Sequence, residues 1–324
     1  MKNDILNCCS YPTKVILVDD NQSFLNEIQL ALSLHNVPSL SFLEVNKFFA
    51  YMQQYSTKTL ADYCMEVSDD ADMDHRIIDI NIGNIYRKIY DSLRFDEITV
   101  IITDYAMPEM DGIVLLRKLD LKYSIKNILL TGVADEKIAV NAFNEGLIHS
   151  FIRKDAPNFV ENLVNKILDL QLLYFKDVSK NIKGTVECFF DPAYVEFIKN
   201  TIRAEKTVEY YLIDEFGSFL LVDIHGNSKW LIVRDEHEMQ HHYEIAKEYF
   251  VDGNVPDDIL EKLAKRNSVL FLGLGDKQNL PPSEWESRLY PANTFVGKRK
   301  YYYSIITESL PEKELIKSFG DYLG

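Results

Sequence analysis

The fold is decided by the stretch ITVIITDYAMPEMDG, residues 98–112. Its first five residues are all β-branched, which is typical of a buried strand, and Asp104 follows close behind them before a turn. In an open α/β sheet, ligands and reacting groups lie beyond the carboxyl ends of the strands. The stretch therefore predicts that Asp104 is held out for chemistry rather than packed in a core.

A second apolar strand is predicted at residues 14–18, and the acidic pair Asp19 and Asp20 follows it. If this strand lies beside 98–104 in one parallel sheet, both carboxylates meet Asp104 in one pocket. Three carboxylates that close raise one another's pKa unless a cation lies between them. Oxygen ligands select hard ions, so the sequence predicts a Mg²⁺ site at this edge of the sheet.

The next two predicted strands, 127–130 and 150–153, are followed by Thr131 and Lys154. A carboxylate nucleophile, a metal ion, a hydroxyl and an ammonium group are together the equipment of phosphoryl transfer. Each signal alone is weak, because a polar residue after a strand is most often a solvated turn residue or a helix cap. Four such strand ends in order favour a phosphoryl-transfer site.

In this pattern the region from residue 15 to about residue 173 resembles the chemotaxis-type receiver domain of two-component response regulators. The resemblance implies an α/β fold with a doubly wound, five-stranded parallel sheet. It also implies that Asp104 accepts a phosphoryl group from a sensor histidine kinase, and that Thr131 and Lys154 hold this group. Phe151 stands at the position of the family's aromatic switch residue, which turns inward as the hydroxyl moves.

The metal site implied by the resemblance consists of the carboxylates of Asp19, Asp20 and Asp104 and the backbone carbonyl of Ala106. The chain departs from the family's pattern at Asp155, where a Pro after a cis bond is usual. A cis bond before a residue other than Pro costs about 2.5–4 kcal/mol. We therefore expect a trans bond and a differently shaped loop at this position.

The predicted domain organisation divides the chain into a receiver domain at 14–175, a linker at 176–190 and an α+β output domain at 191–324. The receiver carries an insert at about 44–95, which makes this link longer than is usual in the family. Apolar residues recur at helical spacing in both halves of the insert, and an acidic stretch at 66–74 lies between them. The insert is therefore predicted to be helical, with two helices joined by an acidic loop.

The output domain is expected to contain a three-stranded antiparallel meander and to end with a helix at 310–322. Its residues 211–219 and 230–233 are similar to an uncommon C-terminal region of some bacterial response regulators, including one that acts in quorum sensing. This resemblance implies no settled biochemical activity for the region.

The output domain also contains His237, Glu238 and His241 in the HExxH spacing of zinc proteases. Histidines at i and i+4 share a helical face and can bind Zn²⁺, with the glutamate as base. The charged residues 234–236 instead place the motif at an exposed helix start, and no clear third ligand follows it. A surface helix is the preferred interpretation, and zinc bound by His237 and His241 stays an open alternative.

The charge balance bears on the partners of the protein. The formal net charge is −15 at pH 7, and an acidic field opposes the phosphate contacts that dominate nucleic-acid binding. Nucleic acid is therefore a disfavoured partner, although the run KRKYYY at 298–303 keeps a nucleotide or single strand open. No apolar run reaches membrane-spanning length, and the chain start lacks a signal-peptide pattern. We expect no membrane partner and a cytoplasmic location.

These observations together predict a response regulator of a two-component phosphorelay. A sensor histidine kinase would pass a phosphoryl group to Asp104 with Mg²⁺, and the modified receiver would switch the output domain through a phosphorylation-favoured homodimer. Two alternatives for the output domain stay open. One is an enzyme, either a zinc hydrolase or a nucleotide- or nucleic-acid-processing activity, and the other is a protein-binding adaptor.

Overall fold

The structure is a computed structural model, and it describes residues 6–56, 65–69, 76–119, 125–132, 136–180, 182, 186–251, 257–273 and 280–324. The chain divides into two compact units. The first unit comprises Ser10–Ala61, Asp91–Ser179 and Phe319–Gly324, and the second unit comprises Met1–Cys9, Asp62–Tyr90 and Lys180–Ser318. The domain limits expected from the sequence stay a prediction, and part of the predicted insert, Asp62–Tyr90, groups with the second unit.

Strands and helices alternate in the first half of the chain. The strands are β1 Cys9–Ser10, β2 Lys14–Val18, β3 Ser39–Phe42, β4 Met65–Asp69, β5 Arg76–Ile80, β6 Ile98–Asp104, β7 Lys126–Thr131, β8 Ser150–Arg153, β9 Glu209–Leu212, β10 Phe219–Val222, β11 Ser228–Asp235, β12 Ser268–Leu270, β13 Leu289–Pro291, β14 Asn293–Val296 and β15 Lys300–Ile306. The α-helices are α1 Gln22–Leu34, α2 Val45–Gln54, α3 Gly112–Lys118, α4 Glu136–Asn144, α5 Phe159–Val178, α6 Pro192–Ala204, α7 Glu236–Val251, α8 Asp257–Ala264 and α9 Phe319–Leu323. None of the helices in the described part of the chain is both long and apolar enough to span a membrane.

The first unit is built on a five-stranded parallel sheet in the order β3-β2-β6-β7-β8. Adjacent residues of its central strands face opposite helical layers, because side chains alternate along a strand. Val15 and Val100 pack with α1 and α5 in one core, whereas Ile16 and Ile101 pack with α2, α3 and α4 in the other. The parallel sheet and its two helical layers confirm the predicted doubly wound fold.

The register of this sheet aligns the polar residues at the carboxyl ends of its strands. Val18, the last residue of β2, pairs with Thr103, the residue before Asp104 in β6. On the other side, Thr131 ends β7 and pairs with Arg153, the last residue of β8. Side chains that end or directly follow these strands therefore meet at one edge of the sheet.

The turn after β6 returns close to the strand. Asp111 caps α3 by accepting a hydrogen bond from the backbone N–H of Val114 at 2.8 Å. The next residue, Gly112, donates its N–H to the carbonyl of Tyr105 at 3.0 Å. A Cβ atom at Gly112 would lie 2.3 Å from the backbone oxygen of Asp104. This close approach admits only glycine.

The insert differs in part from its prediction. Its first amphipathic run forms α2, as expected. Residues 66–69 of the predicted acidic loop instead lie in β4, which pairs with β5 in an antiparallel hairpin. Apolar and polar residues alternate in β4 with the period of a strand. The second run is a 3-10 helix, Ile82–Tyr90, because Gly83 weakens an α-helix and a spacing of three joins Ile82 to Ile85. Residues 70–74 of the predicted loop lie outside the described residues.

The second unit is α+β, as predicted. Its six-stranded sheet has the order β1-β9-β10-β11-β15-β14. The predicted meander corresponds to β9, β10 and β11, which pair antiparallel in sequence order. Asp191 caps α6 by accepting the N–H of Ala193 at 3.0 Å. Residues 181 and 183–185 of the predicted linker lie outside the described residues.

The predicted closing helix at 310–322 is wrong as a continuous element. A 3-10 helix at Lys313–Leu315 and the short α9 take its place. Glu312 has a φ of 49°, and Ile316 is extended with a ψ of 114°. Neither conformation propagates an α-helix, so the pattern of apolar residues is interrupted on both sides of the 3-10 helix.

The close approach of Gly112 yields a stability prediction. Gly112→Ala is expected to lower the free energy of unfolding by about 2–4 kcal/mol, because the added Cβ would collide with backbone rather than with a flexible side chain. Urea denaturation followed by circular dichroism measures this loss. Gly83→Ala is the control, since the nearest atom is the side-chain oxygen of Asn81 at 3.3 Å. Equal stability of the two variants would contradict the packing at Gly112.

Candidate functional site

Three carboxylates meet beyond the ends of β2 and β6. Asp19, Asp20 and Asp104 each offer an oxygen, and these oxygens lie within 4.8 Å of one another. Asp19 and Asp104 are buried, with 1% and 7% of their surface exposed, whereas Asp20 is exposed. Asp19 is further fixed by the backbone N–H of Asn21, which donates to its Oδ1 at 2.9 Å. The predicted convergence of the acidic residues is present, with one side of the cluster open to solvent.

The ammonium group of Lys154 bridges two of these carboxylates. Its Nζ lies 2.7 Å from Oδ2 of Asp19 and 2.8 Å from Oδ1 of Asp104. The backbone N–H of Lys154 donates to the carbonyl of Thr131 at 3.1 Å. The end of β8 is thus tied to the end of β7, and the lysine side chain extends across to β6 and β2.

The electrostatics of this cluster follow from burial and from the single bridging cation. Burial raises the pKa of Asp104, and the nearby charge of Asp19 adds to the rise, while the hydrogen bond from Lys154 opposes it. Burial alone would lower the pKa of Lys154, but its bonds to the two carboxylates outweigh this effect, and its pKa is raised. The ammonium of Lys154 therefore stays charged. Its attraction offsets only part of the cost of burying the ionised carboxylate of Asp104.

The remaining predicted site residues lie on neighbouring elements. Thr131 is fully buried, and its hydroxyl has no hydrogen-bond partner within the part of the chain that the structure describes. Ala106 is exposed in the turn two residues after Asp104. Phe151 on β8 is half-buried and packs against the core that includes α3 and α4. A buried hydroxyl without a hydrogen-bond partner lowers the free energy of unfolding by about 1–3 kcal/mol. A hydrogen-bond acceptor bound close to Thr131 would remove this cost.

The loop after Lys154 is held without a proline. The described backbone contains no cis peptide bond, so the bond before Asp155 is trans, as expected from the sequence. The guanidinium of Arg153 donates to both carboxylate oxygens of Asp155, at 3.0 Å and 2.8 Å. Asn158 follows in the left-handed region with a φ of 56° and precedes α5. An ion pair and a left-handed residue together shape this loop.

An aromatic contact of Lys154 escaped the sequence analysis. The Nζ atom lies 4.5 Å from the centre of the Phe24 ring, within the range of a cation–π interaction. Phe24 is not among the site residues predicted from the sequence. Its position one turn into the helix that follows the acidic pair is the signal that could have identified it.

The residues of the cluster fit a divalent cation. All side-chain donors are carboxylate oxygens, which is the donor set that Mg²⁺ prefers over softer metals. The exposed side at Asp20 leaves room for the waters that Mg²⁺ commonly retains. Within the described residues, no other group of acidic, histidine or cysteine side chains brings three ligand atoms this close.

The HExxH motif lies at the start of α7. The side chain of His237 is 87% exposed and lies 3.6 Å from Glu238, its nearest acidic partner. Asp235 accepts the backbone N–H groups of His237 and Glu238 at 3.0 Å and 3.1 Å, so it caps the helix. The structure therefore does not bring His237 and His241 into a three-ligand group with other described residues.

The basic and aromatic run at 298–303 is engaged in contacts within the second unit. Arg299 donates to Asp235 at 2.7 Å and to Glu187 at 2.8 Å. Tyr301 and Tyr302 are buried, with 2% and 3% of their surface exposed. The guanidinium of Arg299 and the rings of Tyr301 and Tyr302, which a nucleotide would need for charge and stacking contacts, are thus already engaged within the protein.

The pKa of Asp104 gives a prediction for the pH dependence of stability. A carboxyl whose pKa is raised by folding destabilises the protein once it ionises, so Asp104→Asn is expected to be more stable than wild type at pH 7 without divalent cations. The gain should grow as pH rises from about 4 and vanish below, where wild type is also neutral. Urea denaturation at several pH values measures it.

Asp111→Asn is the matched control for this experiment. Asparagine is as good a helix cap as aspartate, and Asp111 accepts its hydrogen bond outside the acidic cluster. Its stability should follow wild type across the pH range. A gain in Asp104→Asn that did not change with pH would contradict the assigned electrostatics.

The comparisons with known proteins agree with this geometry. The family model of the response regulator receiver domain matches residues 84–167. The transcriptional regulatory protein FixJ of Rhizobium meliloti (strain 1021) is 46% identical over 56 residues, which are 17% of this chain. The match spans 27% of the length of FixJ.

A solved structure extends the similarity to nearly the whole chain. The Legionella pneumophila response regulator LqsR is 32% identical, with a TM-score of 0.77. The alignment covers 98% of this chain and 95% of LqsR. Similarity at this level and coverage includes the parallel-sheet unit and the antiparallel unit alike. The chain belongs to the response regulators of two-component signalling, with a receiver domain and a C-terminal output region.

Proposed function

We propose that Asp104 is the phospho-acceptor of this response regulator. The observation that carries the proposal is the bridge of Lys154 between Asp19 and Asp104. Thr131 ends the neighbouring strand β7, and its buried hydroxyl meets no hydrogen-bond partner in the described ranges. A receiver domain takes its phosphoryl group from a histidine kinase, so a kinase of this kind is the upstream partner. The carboxylate of Asp104 attacks the phosphorus, the phosphorus–nitrogen bond of the phosphohistidine breaks, and the imidazole leaves.

The proposed metal site consists of the carboxylates of Asp19, Asp20 and Asp104 with the carbonyl of Ala106. When bound there, Mg²⁺ supplies positive charge beside the phosphoryl oxygens. The other contacts to the phosphoryl group come from side chains of the protein. Lys154 moves its ammonium from the carboxylate of Asp104 toward a phosphoryl oxygen. The two carboxylate oxygens within 3 Å of its Nζ atom support this role.

The proposed switch begins at the hydroxyl of Thr131. A phosphoryl group adds about −1.5 to −2 charges and three strong acceptor oxygens. The Thr131 hydroxyl, which the described part of the chain leaves without a hydrogen-bond partner, donates to one of these oxygens. Phe151 follows into the space that this movement opens, since it is only half-buried beside the core of α3 and α4. The surface of α4 and β8 changes as a result.

Chemical phosphorylation tests the acceptor. Incubation of the purified protein with acetyl phosphate and Mg²⁺ should add the mass of one phosphoryl group, detected by intact mass spectrometry, because small phosphodonors need only the receiver's own site. Removal of the metal with EDTA should abolish the addition. Asp104→Asn should not be modified, while Asp111→Asn, an aspartate of the same turn outside the cluster, should behave as wild type. Modification of Asp104→Asn to the wild-type level would exclude Asp104 as the acceptor.

We further propose that phosphorylation favours a homodimer through α4. Ile138, Val140 and Phe143 are apolar side chains of this helix, and each has at least 40% of its surface exposed. Apolar residues that are exposed together on one short helix are a common sign of an interaction surface. The helix directly follows the strand that ends in Thr131, so movement of the hydroxyl bears on its position.

Light scattering tests the dimer. Size-exclusion chromatography with light scattering should give a larger dimer fraction after treatment with acetyl phosphate and Mg²⁺, and Phe143→Asp should weaken association by about tenfold or more because it places a charge in an apolar contact. Leu30→Asp is the control, since Leu30 is 64% exposed on α1. A monomer under both conditions would refute the dimer, and equal loss in the two variants would refute its assignment to α4.

The function proposed for the output region is more general than the function proposed for the receiver. Its sequence resemblance to a regulator that acts in quorum sensing supports a role in signalling of that kind. The burial of Tyr301 and Tyr302 and the ion pairs of Arg299 give little support to nucleic-acid or nucleotide binding at 298–303. A protein-binding output switched by the receiver is the version of the proposal that these observations favour.

A further inference from the structure

Phe24 is fixed close to the acidic cluster by the start of α1. Asn21 caps this helix, and its Oδ1 accepts the backbone N–H of Phe24 at 3.1 Å. The backbone N–H of Asn21 in turn donates to the carboxylate of Asp19 at 2.9 Å. These two short-range hydrogen bonds fix the backbone of Phe24 relative to Asp19.

The ring of Phe24 supports the ammonium of Lys154. Nζ lies 4.5 Å from the ring centre and at the same time bonds to Asp19 at 2.7 Å and Asp104 at 2.8 Å. An ammonium has three N–H donors, so the two carboxylates leave one N–H and part of the charge unsatisfied. The face of the ring offers negative potential to that charge. We infer that Phe24 is a positioning residue, which holds Lys154 in line with Asp104.

The inference rests on the proposed function, in which Lys154 passes from a carboxylate to a phosphoryl oxygen. A cation–π attraction acts up to about 6 Å from the ring centre, so it persists when the ammonium moves a short distance over the face of Phe24. A hydrogen-bonding side chain in place of Phe24 would compete with the phosphoryl oxygen and restrain the lysine. The chain also has Asp155 and not proline after Lys154. The ion pair between Arg153 and Asp155 shapes this loop but does not contact the ammonium of Lys154, whereas the ring of Phe24 does.

A purely structural role for Phe24 is the alternative. The ring is half-buried, lies 5.8 Å from the ring of Phe159 and packs against the core between the sheet and α1 and α5. Leucine at position 24 would keep this apolar contact and lose the π face. Tyrosine would keep both. The two substitutions therefore separate packing from positioning.

A double-mutant cycle between Phe24 and Lys154 tests the inference. The rate of phosphorylation by acetyl phosphate at saturating Mg²⁺ is measured for wild type, Phe24→Leu, Phe24→Tyr, Lys154→Ala and Phe24→Leu with Lys154→Ala. Phe24→Leu should be slower by about three- to fivefold, the size of a partly exposed cation–π contact, while Phe24→Tyr stays within about twofold of wild type. In the Lys154→Ala background, Phe24→Leu should have no further effect.

Two outcomes of the cycle overturn the inference. One is a wild-type rate in Phe24→Leu, and the other is an equal slowing by Phe24→Leu in the presence and absence of Lys154, which is the result expected of packing alone. Thermal melting followed by circular dichroism checks that each variant is folded.

A second readout does not depend on phosphorylation. In nuclear magnetic resonance spectra of wild type, the ε-methylene protons of Lys154 should be shifted upfield by the Phe24 ring, and the shift should disappear in Phe24→Leu. No upfield shift in wild type overturns the inference. If wild type fails to accept phosphate but shows the shift, the proposed function falls and the contact between Phe24 and Lys154 stands.

Discussion

Asp19 and Asp104 belong to strands that are adjacent in a parallel sheet, and one ammonium group, that of Lys154, bonds to both. Two buried carboxylates this close would repel each other without a cation. The bridge depends on the register of four strands, because Lys154 must reach across β7 and β6 toward β2. The same register brings Thr131, at the end of β7, to this edge of the sheet.

The same arrangement explains why the site is suited to change. The buried hydroxyl of Thr131 has no hydrogen-bond partner among the described residues, and burial raises the pKa of Asp104 despite its bond to Lys154. Both groups are poorly satisfied in the unmodified protein. Functional sites commonly contain groups whose local environment destabilises the protein. A ligand that satisfies such groups binds more favourably, because it removes the destabilisation. A phosphoryl group on Asp104 would offer an acceptor to the hydroxyl and to the ammonium together.

The parallel sheet and the residues of the acidic cluster could be predicted because their signals are local. A β-branched run that ends in a polar residue indicates both a strand and the place where it stops, and residues 98–104 carry both features. The hairpin β4–β5 differs from the prediction because a stretch rich in acidic residues is typical of a solvated loop. The predicted closing helix is not continuous, because Glu312 has a left-handed conformation that amino-acid composition does not predict. The contact of Phe24 with Lys154 depends on packing between distant segments, and no spacing encodes it.

The decisive experiment is a crystal structure of the protein with Mg²⁺ and beryllofluoride, a mimic of the aspartyl phosphate. We expect the beryllofluoride group on Asp104, the metal ion against Asp19 and Asp20, and both Thr131 Oγ1 and Lys154 Nζ in contact with fluorine atoms. A group attached elsewhere, or an Asp104 adduct with Lys154 still bonded only to Asp19, would contradict this expectation.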